Sequence, residues 1–490
     1  MKGFSGMDVS ALRRTMWLCA VFAGFTALPA IAVRSEVIRE LPSSVTRVLA
    51  AHDMSTDSYS AWVQEVNADA PMLAVNADQP RNPASTIKLL TTFLALEDLG
   101  PAYTWPTMVY LDSSPRDGRV DGDLYLKGYG DPYLVTERVW LLLRQLRQLG
   151  VTDIGGDLVI DNFFFALQPE DPGAFDGQTY RVYNVVPDAL LINFKAISFL
   201  FRPDPMSNRV QVVADPMPSN LQMRNSMTLA PGRCGGYQGG VAVAVSEAPA
   251  EPMVSFSGRF GRDCPEYRLS RSLLSAPEYA YGVVRGLWEE SGGRLEGGYR
   301  NAPVPEDLPP FMRFDSPALA EVIRAVNKWS NNVMTRQIFL TMGAEKYGAP
   351  ATEEKAREAV QVSLETRGLD FPELRIDNGA GLSRSTRISA RNMGRLLRAA
   401  HQSSFKAEFE SSLALAGLDG TLRRRFRNEA LTGQMHLKTG RLNGVFAMAG
   451  FVHSRSGREF VVVAIQNDPN AHRGPGEEAH SELLRWVYSQ

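Results

Sequence analysis

The chain has 490 residues, more than one hydrophobic core usually serves, so two or three domains are expected. Apolar residues make up 44% and charged residues 22%, the balance of a globular protein. The formal charge is −2 with no basic block, which argues against nucleic acid as a main partner.

The N-terminus reads as an export signal. Arg13 and Arg14 precede an apolar run from Met16 to Ile31, and Ala30-Ile31-Ala32 offers a small-x-small cleavage pattern. Residues 1–32 are therefore expected to be removed, with a retained anchor as the alternative. Removal would take three positive charges and one negative, leaving −4. No other segment is apolar for long enough to span a bilayer. The mature chain is expected to be exported, with no integral membrane segment.

A first helix is expected at Ser43 to Ala51, then a strand from Tyr59 to Val66, a turn, and a second strand from Met72 to Val75. Asn82-Pro83-Ala84-Ser85-Thr86-Ile87-Lys88-Leu89-Leu90 opens a helix whose apolar residues leave no polar face, so it should be enclosed by the fold. Pro83 suits a first turn and Gly100 a stop. From about 104 to 300 the chain breaks into short strands, interrupted by one helix at Val135 to Leu149. Gly128-Tyr129-Gly130-Asp131-Pro132 lacks the Lys-Ser/Thr of a phosphate loop and reads as a turn. Residues 190 to 265 form a β-rich lobe holding Cys234 and Cys264. An exported pair of cysteines can form a disulfide, here closing a loop of about 30 residues and contributing roughly 3–4 kcal/mol; two unrelated thiols are the alternative. Helical pattern returns at Pro317 to Met342, Thr352 to Arg367, and Ser389 to Gln402. Strands at Val445 to Val452 and Glu459 to Gln466 and a helix at Glu477 to Val487 close the chain. One α/β domain is thus expected, split by an insertion of roughly 200 residues.

Ser85 and Lys88 are three apart and share a helix face, so a hydroxyl sits beside an amine at a helix N-terminus. A second Ser-x-x-Lys, Ser403 to Lys406, lies in a polar stretch and reads as solvated surface. Two later stretches single out the first: Ser330-Asn331-Asn332 and Lys438-Thr439-Gly440, each the one instance of S-x-N and K-T-G in the chain. This ordered set is the signature of penicillin-recognising serine acyl-transferases. Lys88 can act as base only if neutral, so burial and a second cation, Lys438, are needed to lower its pKa. Ser330 is expected to bridge the two amines, and Asn332 to hold a substrate amide. Thr439 and Gly440 should lie on a strand edging the site, with Gly440 letting substrate approach the strand closely. Backbone amides of Ser85 and Arg441 would form the oxyanion site. His436 is expected to be structural. No cofactor is expected and no cluster has metal spacing.

With these motifs, and with Gly122-Asp123-Leu124-Tyr125-Leu126, Gly130-Asp131-Pro132, Asp377 to Arg384, Asp419 to Leu422 and Leu442 to Val445, the chain resembles the class C low-molecular-mass penicillin-binding proteins, the D-alanyl-D-alanine carboxypeptidase/endopeptidase type. The resemblance implies an α/β (α+β) serine β-lactamase/transpeptidase-like domain (33–103 and 302–490) split by a β-rich insertion. That insertion would form two accessory domains, one of 104–189 with 266–301 and one of 190–265. It also implies hydrolysis of D-Ala-D-Ala in peptidoglycan stem peptides and of cross-links, a Ser85 acyl-enzyme trapped by β-lactams, and a periplasmic location. Asp161 matches the acidic residue that holds the free amino end of diaminopimelate; a strand-end turn residue is the alternative. The family usually has Thr or Ser where this chain has Arg441, which is expected to pair with the substrate's terminal carboxylate. A β-lactamase of the same fold would need a water-activating Glu, of which no motif is seen. A non-catalytic scaffold would show a broken motif.

Overall fold

Strands from residues 59–75 and 414–467 meet in one sheet. In the computed structural model, which describes residues 36–204, 206–231, 240–246 and 252–490, Val37–Gln490 is one compact unit. The expected signal peptide and Cys234 lie outside the described residues. Six strands form an antiparallel sheet: β1 (Tyr59–Glu65), β2 (Leu73–Val75), β3 (Ala414–Leu415), β4 (Met435–Leu442), β5 (Val445–His453) and β6 (Glu459–Asn467), in the order β3-β4-β5-β6-β1-β2. Tyr59 pairs with Gln466 and Lys438 with Ala449.

Helices cover both faces. On one side lie α1 (Ser43–Ala51) and, from the chain's end, α8 (Pro475–Tyr488). On the other lie α2 (Lys88–Leu99), α3 (Leu319–Trp329), α4 (Asn332–Tyr347), α5 (Glu353–Thr366), α6 (Ala390–Gln402) and α7 (Lys406–Ser412). Side chains alternate across a strand. Val461, Val463 and Ile465 therefore join the core with α2, while Phe460, Val462 and Ala464 join the core with α1 and α8. A strand buried on both faces reads as one apolar run, as β6 does. Lys88 to Leu96 of α2 are all buried, which is why that helix shows no polar face. Truncating Leu90 or Phe93 to Ala would cost about 2–5 kcal/mol.

The single helical pattern expected from Pro317 to Met342 is two helices. α3 stops at Ser330, whose left-handed φ of 58° ends it, and the Asn331 side chain caps α4 by accepting from the Met334 amide. A non-glycine residue in that conformation costs about 1–2 kcal/mol, and such residues persist where function holds them.

The insertion carries a five-stranded sheet in which Leu124–Gly128 and Leu158–Asp161 run parallel, joined through the helix Thr136–Gln148, as expected. Its edge strand Met312–Asp315 pairs with Pro106–Leu111, so this sheet extends past the expected boundary at 302. Tyr267–Arg271 pairs with Ile197–Asp204, so the β-rich sheet extends past 265. Both sheets feed one continuous apolar core holding Val109, Ile160, Phe199, Phe256 and Trp288. Cys264 is disulfide-bonded.

Candidate active site

Ser85 sits on a 3₁₀ turn, Ala84–Ile87, that runs straight into α2. Ala84 holds a left-handed φ of 46°. Several groups fix this strained turn. Asn82 Oδ1 accepts from the Ala84 amide (2.9 Å), and Asn82 Nδ2 donates to the Ser383 carbonyl (2.8 Å). The Asn82 backbone exchanges two hydrogen bonds with the Asn467 side chain, at 2.9 and 3.0 Å. Gly381, at φ 78°, packs so tightly that a Cβ there would stand 2.0 Å from the Ala84 carbonyl oxygen. Asn82, Asn467 and Gly381 were not singled out in the sequence; their partners are hundreds of positions away.

Lys88 Nζ lies 3.0 Å from Ser85 Oγ. It donates to Asn332 Oδ1 at 2.8 Å and to the Ala380 carbonyl. A neutral amine has two N–H groups and one lone pair. In that neutral form, with both N–H groups so engaged, the lone pair would be left for the serine hydroxyl. Lys88 and Lys438 are fully buried. Burial, then the nearby Lys438 charge, hold the Lys88 amine well below its ordinary value. Burial pushes Lys438 down to about 7. The expected depression of Lys88 is present, with desolvation as its first cause.

Lys438 Nζ donates to Ser330 Oγ (2.8 Å) and to the Thr439 carbonyl (2.7 Å). The expected bridge from Ser330 to both amines is thus made on the Lys438 side, while Lys88 is held by Asn332. Asn332 also differs from expectation. Its amide oxygen accepts from Lys88, and its Nδ2 donates to the Tyr183 carbonyl at 3.0 Å. Both ends are engaged within the protein, so it fixes the Lys88 amine in place. Tyr183 brings the insertion to the site, as does Phe175, which lies 4.4 Å from the Arg384 guanidinium.

Thr439 Oγ1 donates to Thr421 Oγ1 at 3.0 Å. β3 pairs with β4 only at Leu437 and His436, so among the described residues that edge of β4 has no strand beside it from Lys438 onward. Gly440 has a different reason from the one expected. A Cβ there would lie 2.6 Å from the Pro83 oxygen and 2.9 Å from the Ser85 nitrogen, so the missing side chain makes room for the Ser85 turn itself. Arg441 is exposed on the same strand, paired with Phe446 through its backbone, and its side chain makes no hydrogen bond or ion pair among the described residues.

Asp161 is placed against its expected role. It is 1% exposed, ion-paired with Lys127 at 3.1 Å, and accepts from the Phe163 and Val304 amides. Both oxygens are engaged in holding a strand end, so the turn reading fits. The second Ser-x-x-Lys lies in a separate network: Ser403 donates to Glu97, and Lys406 bonds the His401 ring.

The model of the D-Ala-D-Ala carboxypeptidase 3 (S13) family matches residues 41–487. The chain belongs to that family. It is a peptidase of the serine-type D-alanyl-D-alanine carboxypeptidase kind. A D-alanyl-D-alanine carboxypeptidase of Actinomadura sp. (strain R39) is 28% identical over 420 residues, covering 82% of this chain and 76% of the relative. One from Haemophilus influenzae is 24% identical over 396 residues, covering 78% and 80%. The crystal structure of penicillin binding protein 4 from Haemophilus influenzae shares the fold, with a TM-score of 0.74 at 22% identity, over 91% of this chain and 99% of that one. A predatory endopeptidase of Bdellovibrio bacteriovorus superposes with a TM-score of 0.52 at 14% identity, over 88% and 92%.

Proposed function

We propose that Ser85 is the nucleophile and Lys88 its general base in hydrolysis of the terminal D-Ala-D-Ala bond of peptidoglycan stem peptides. The observation that carries this is the buried Lys88 amine 3.0 Å from Ser85 Oγ, with its N–H groups engaged by Asn332 and Ala380. The Ser85 proton passes to Lys88 as Oγ bonds the carbonyl carbon. The developing oxyanion sits between the backbone amides of Ser85 and Arg441; one such donor is worth about 2.7–4 kcal/mol. Collapse expels D-Ala, whose amine takes a proton through Ser330, hydrogen-bonded to Lys438. Water then gives a proton to Lys438 through Ser330 as its oxygen bonds the acyl carbon, and Lys88 returns its proton to Ser85 Oγ as the ester bond breaks. The substrate backbone lies along the uncovered edge of β4, and Arg441 pairs with its terminal carboxylate.

The same centre cleaves D-Ala–diaminopimelate cross-links, a reading supported by the fold shared with a protein named as an endopeptidase. β-Lactams acylate Ser85, supported by a Haemophilus influenzae structure of this fold solved with a β-lactam. The chain works in the periplasm after loss of residues 1–32. Its catalytic part is split by the insertion, which forms two accessory parts, and Cys234 is the partner of Cys264.

The test is intact mass after incubation with benzylpenicillin, for wild type and Ser85→Ala. A long-lived single adduct absent from the variant is expected. An adduct lost within seconds would point to a β-lactamase, and no adduct in either protein would overturn the assignment.

A further inference from the structure

At the end of the sheet, three elements bring together side chains that no sequence spacing announces. Glu410 comes from α7, His436 from β4 and His453 from the end of β5. One ligand atom of each lies within 4.8 Å of the others. His453 Nε2 is 3.5 Å from Glu410 Oε1, and the two rings stand edge to face with centroids 6.2 Å apart. His436 Nδ1 is buried and has no hydrogen-bond partner among the described residues. A buried polar atom left that way costs about 1–3 kcal/mol. The Glu410 backbone carbonyl is within hydrogen-bonding reach of the same ring, the kind of contact that orients a ligating imidazole.

We propose that Glu410, His436 and His453 form a binding site for a divalent transition metal of the zinc class. Two imidazoles and a carboxylate are a donor set that suits such an ion, with bonds of about 2.0–2.2 Å and a fourth position left to water. Ligand atoms around a tetrahedral ion stand about 3.4 Å apart at those bond lengths. The three atoms therefore need to close by roughly an ångström, which partly exposed His453 can supply by rotation. The local charge permits a cation. Lys406 lies near both Glu410 and Glu459, at 3.9 and 3.5 Å, and Lys328 is paired with Asp419 at 2.6 Å. Three carboxylates therefore face two ammonium groups. Side chains two apart on a strand share a face, so His436 stands on the same face of β4 as Lys438. An ion here ties that strand to β5 and α7 beside the catalytic machinery.

The test is equilibrium dialysis of the full chain, without a polyhistidine tag, against Zn²⁺, repeated for H453A and E410Q. Co²⁺ absorption reports the coordination geometry, and circular dichroism of the metal-free proteins reports folding. One zinc per chain is expected, with affinity lowered at least tenfold in each variant and a tetrahedral Co²⁺ spectrum in wild type alone. H453A changes a partly exposed strand end and leaves the core intact. No bound zinc, or binding unchanged in both folded variants, would overturn the proposal. Neither readout depends on Ser85 chemistry.

Discussion

Gly440→Ala is a small change that should act on the nucleophile from across the site. The added methyl would stand 2.6 Å from the Pro83 carbonyl oxygen and 2.9 Å from the Ser85 nitrogen. To reach ordinary contact at 3.4 Å, the turn and the strand must separate by about 0.8 Å. The obstructing atoms are backbone, and the turn is pinned by Asn82 and Asn467, so no side chain can rotate away. Overpacking of this kind costs about 1–3 kcal/mol of stability. The larger effect should be on rate, because a misplacement near 1 Å costs about a hundredfold. The assay is the second-order rate of benzylpenicillin acylation by stopped flow, beside urea unfolding. A variant that acylates at the wild-type rate would falsify the argument that Gly440 exists to admit the Ser85 turn.

Asn82→Ala removes the acceptor for the Ala84 amide and the bond to Ser383. It should lose about 1–3 kcal/mol in urea unfolding and acylate more slowly, because the left-handed residue before Ser85 loses its restraint. Lys88 is held well below its ordinary value, so the unfolded chain binds more protons than the native one as pH rises toward about 10.5. Native stability therefore gains with pH in that window. Lys88→Met should show a smaller gain between pH 7.5 and 9, and equal slopes would mean that Lys88 is charged in the native state. Arg441→Thr should raise KM for a D-Ala-D-Ala peptide more than it changes kcat; a lower KM would remove Arg441 from carboxylate recognition.

The residues that the sequence exposed were those whose chemistry is local. Ser85 and Lys88 are one turn apart, and Lys438, Thr439 and Gly440 are consecutive, so spacing alone places each set. What stayed hidden was set by pairing over long separations. Asn467 meets Asn82 across 385 positions, Ala380 supplies only a backbone carbonyl, and Tyr183 reaches Asn332 from within the insertion. None of these leaves a pattern in one stretch. Asp161 had two readings in the sequence, and the structure's contacts favour the strand-end one. An acid at a strand end looks available in sequence, yet Lys127 and two amides consume it. Gly440 was placed correctly for a different reason, since the neighbour that needs its space is 355 positions earlier. The fold's two-sided burial was legible because β6 is an unbroken apolar run, whereas the break at Ser330 was not, because α3 and α4 carry one continuous helical pattern.

The order β3-β4-β5-β6-β1-β2 has a consequence for how the molecule matures. β1, made early, pairs at once with β2 but finds its other neighbour only when residues 459–467 have been synthesised, and Lys438 arrives not long before. A chain cut short between α2 and β4 carries Ser85 but lacks the second amine, the glycine gap and the Asn467 clamp. Loop closure on this scale is slow, so nascent chains pass through a long interval with the serine present and unactivated. Completion of the polypeptide is itself the activating event. On the proposed function, the peptidase is thereby inert throughout its own synthesis without any separate inhibitor.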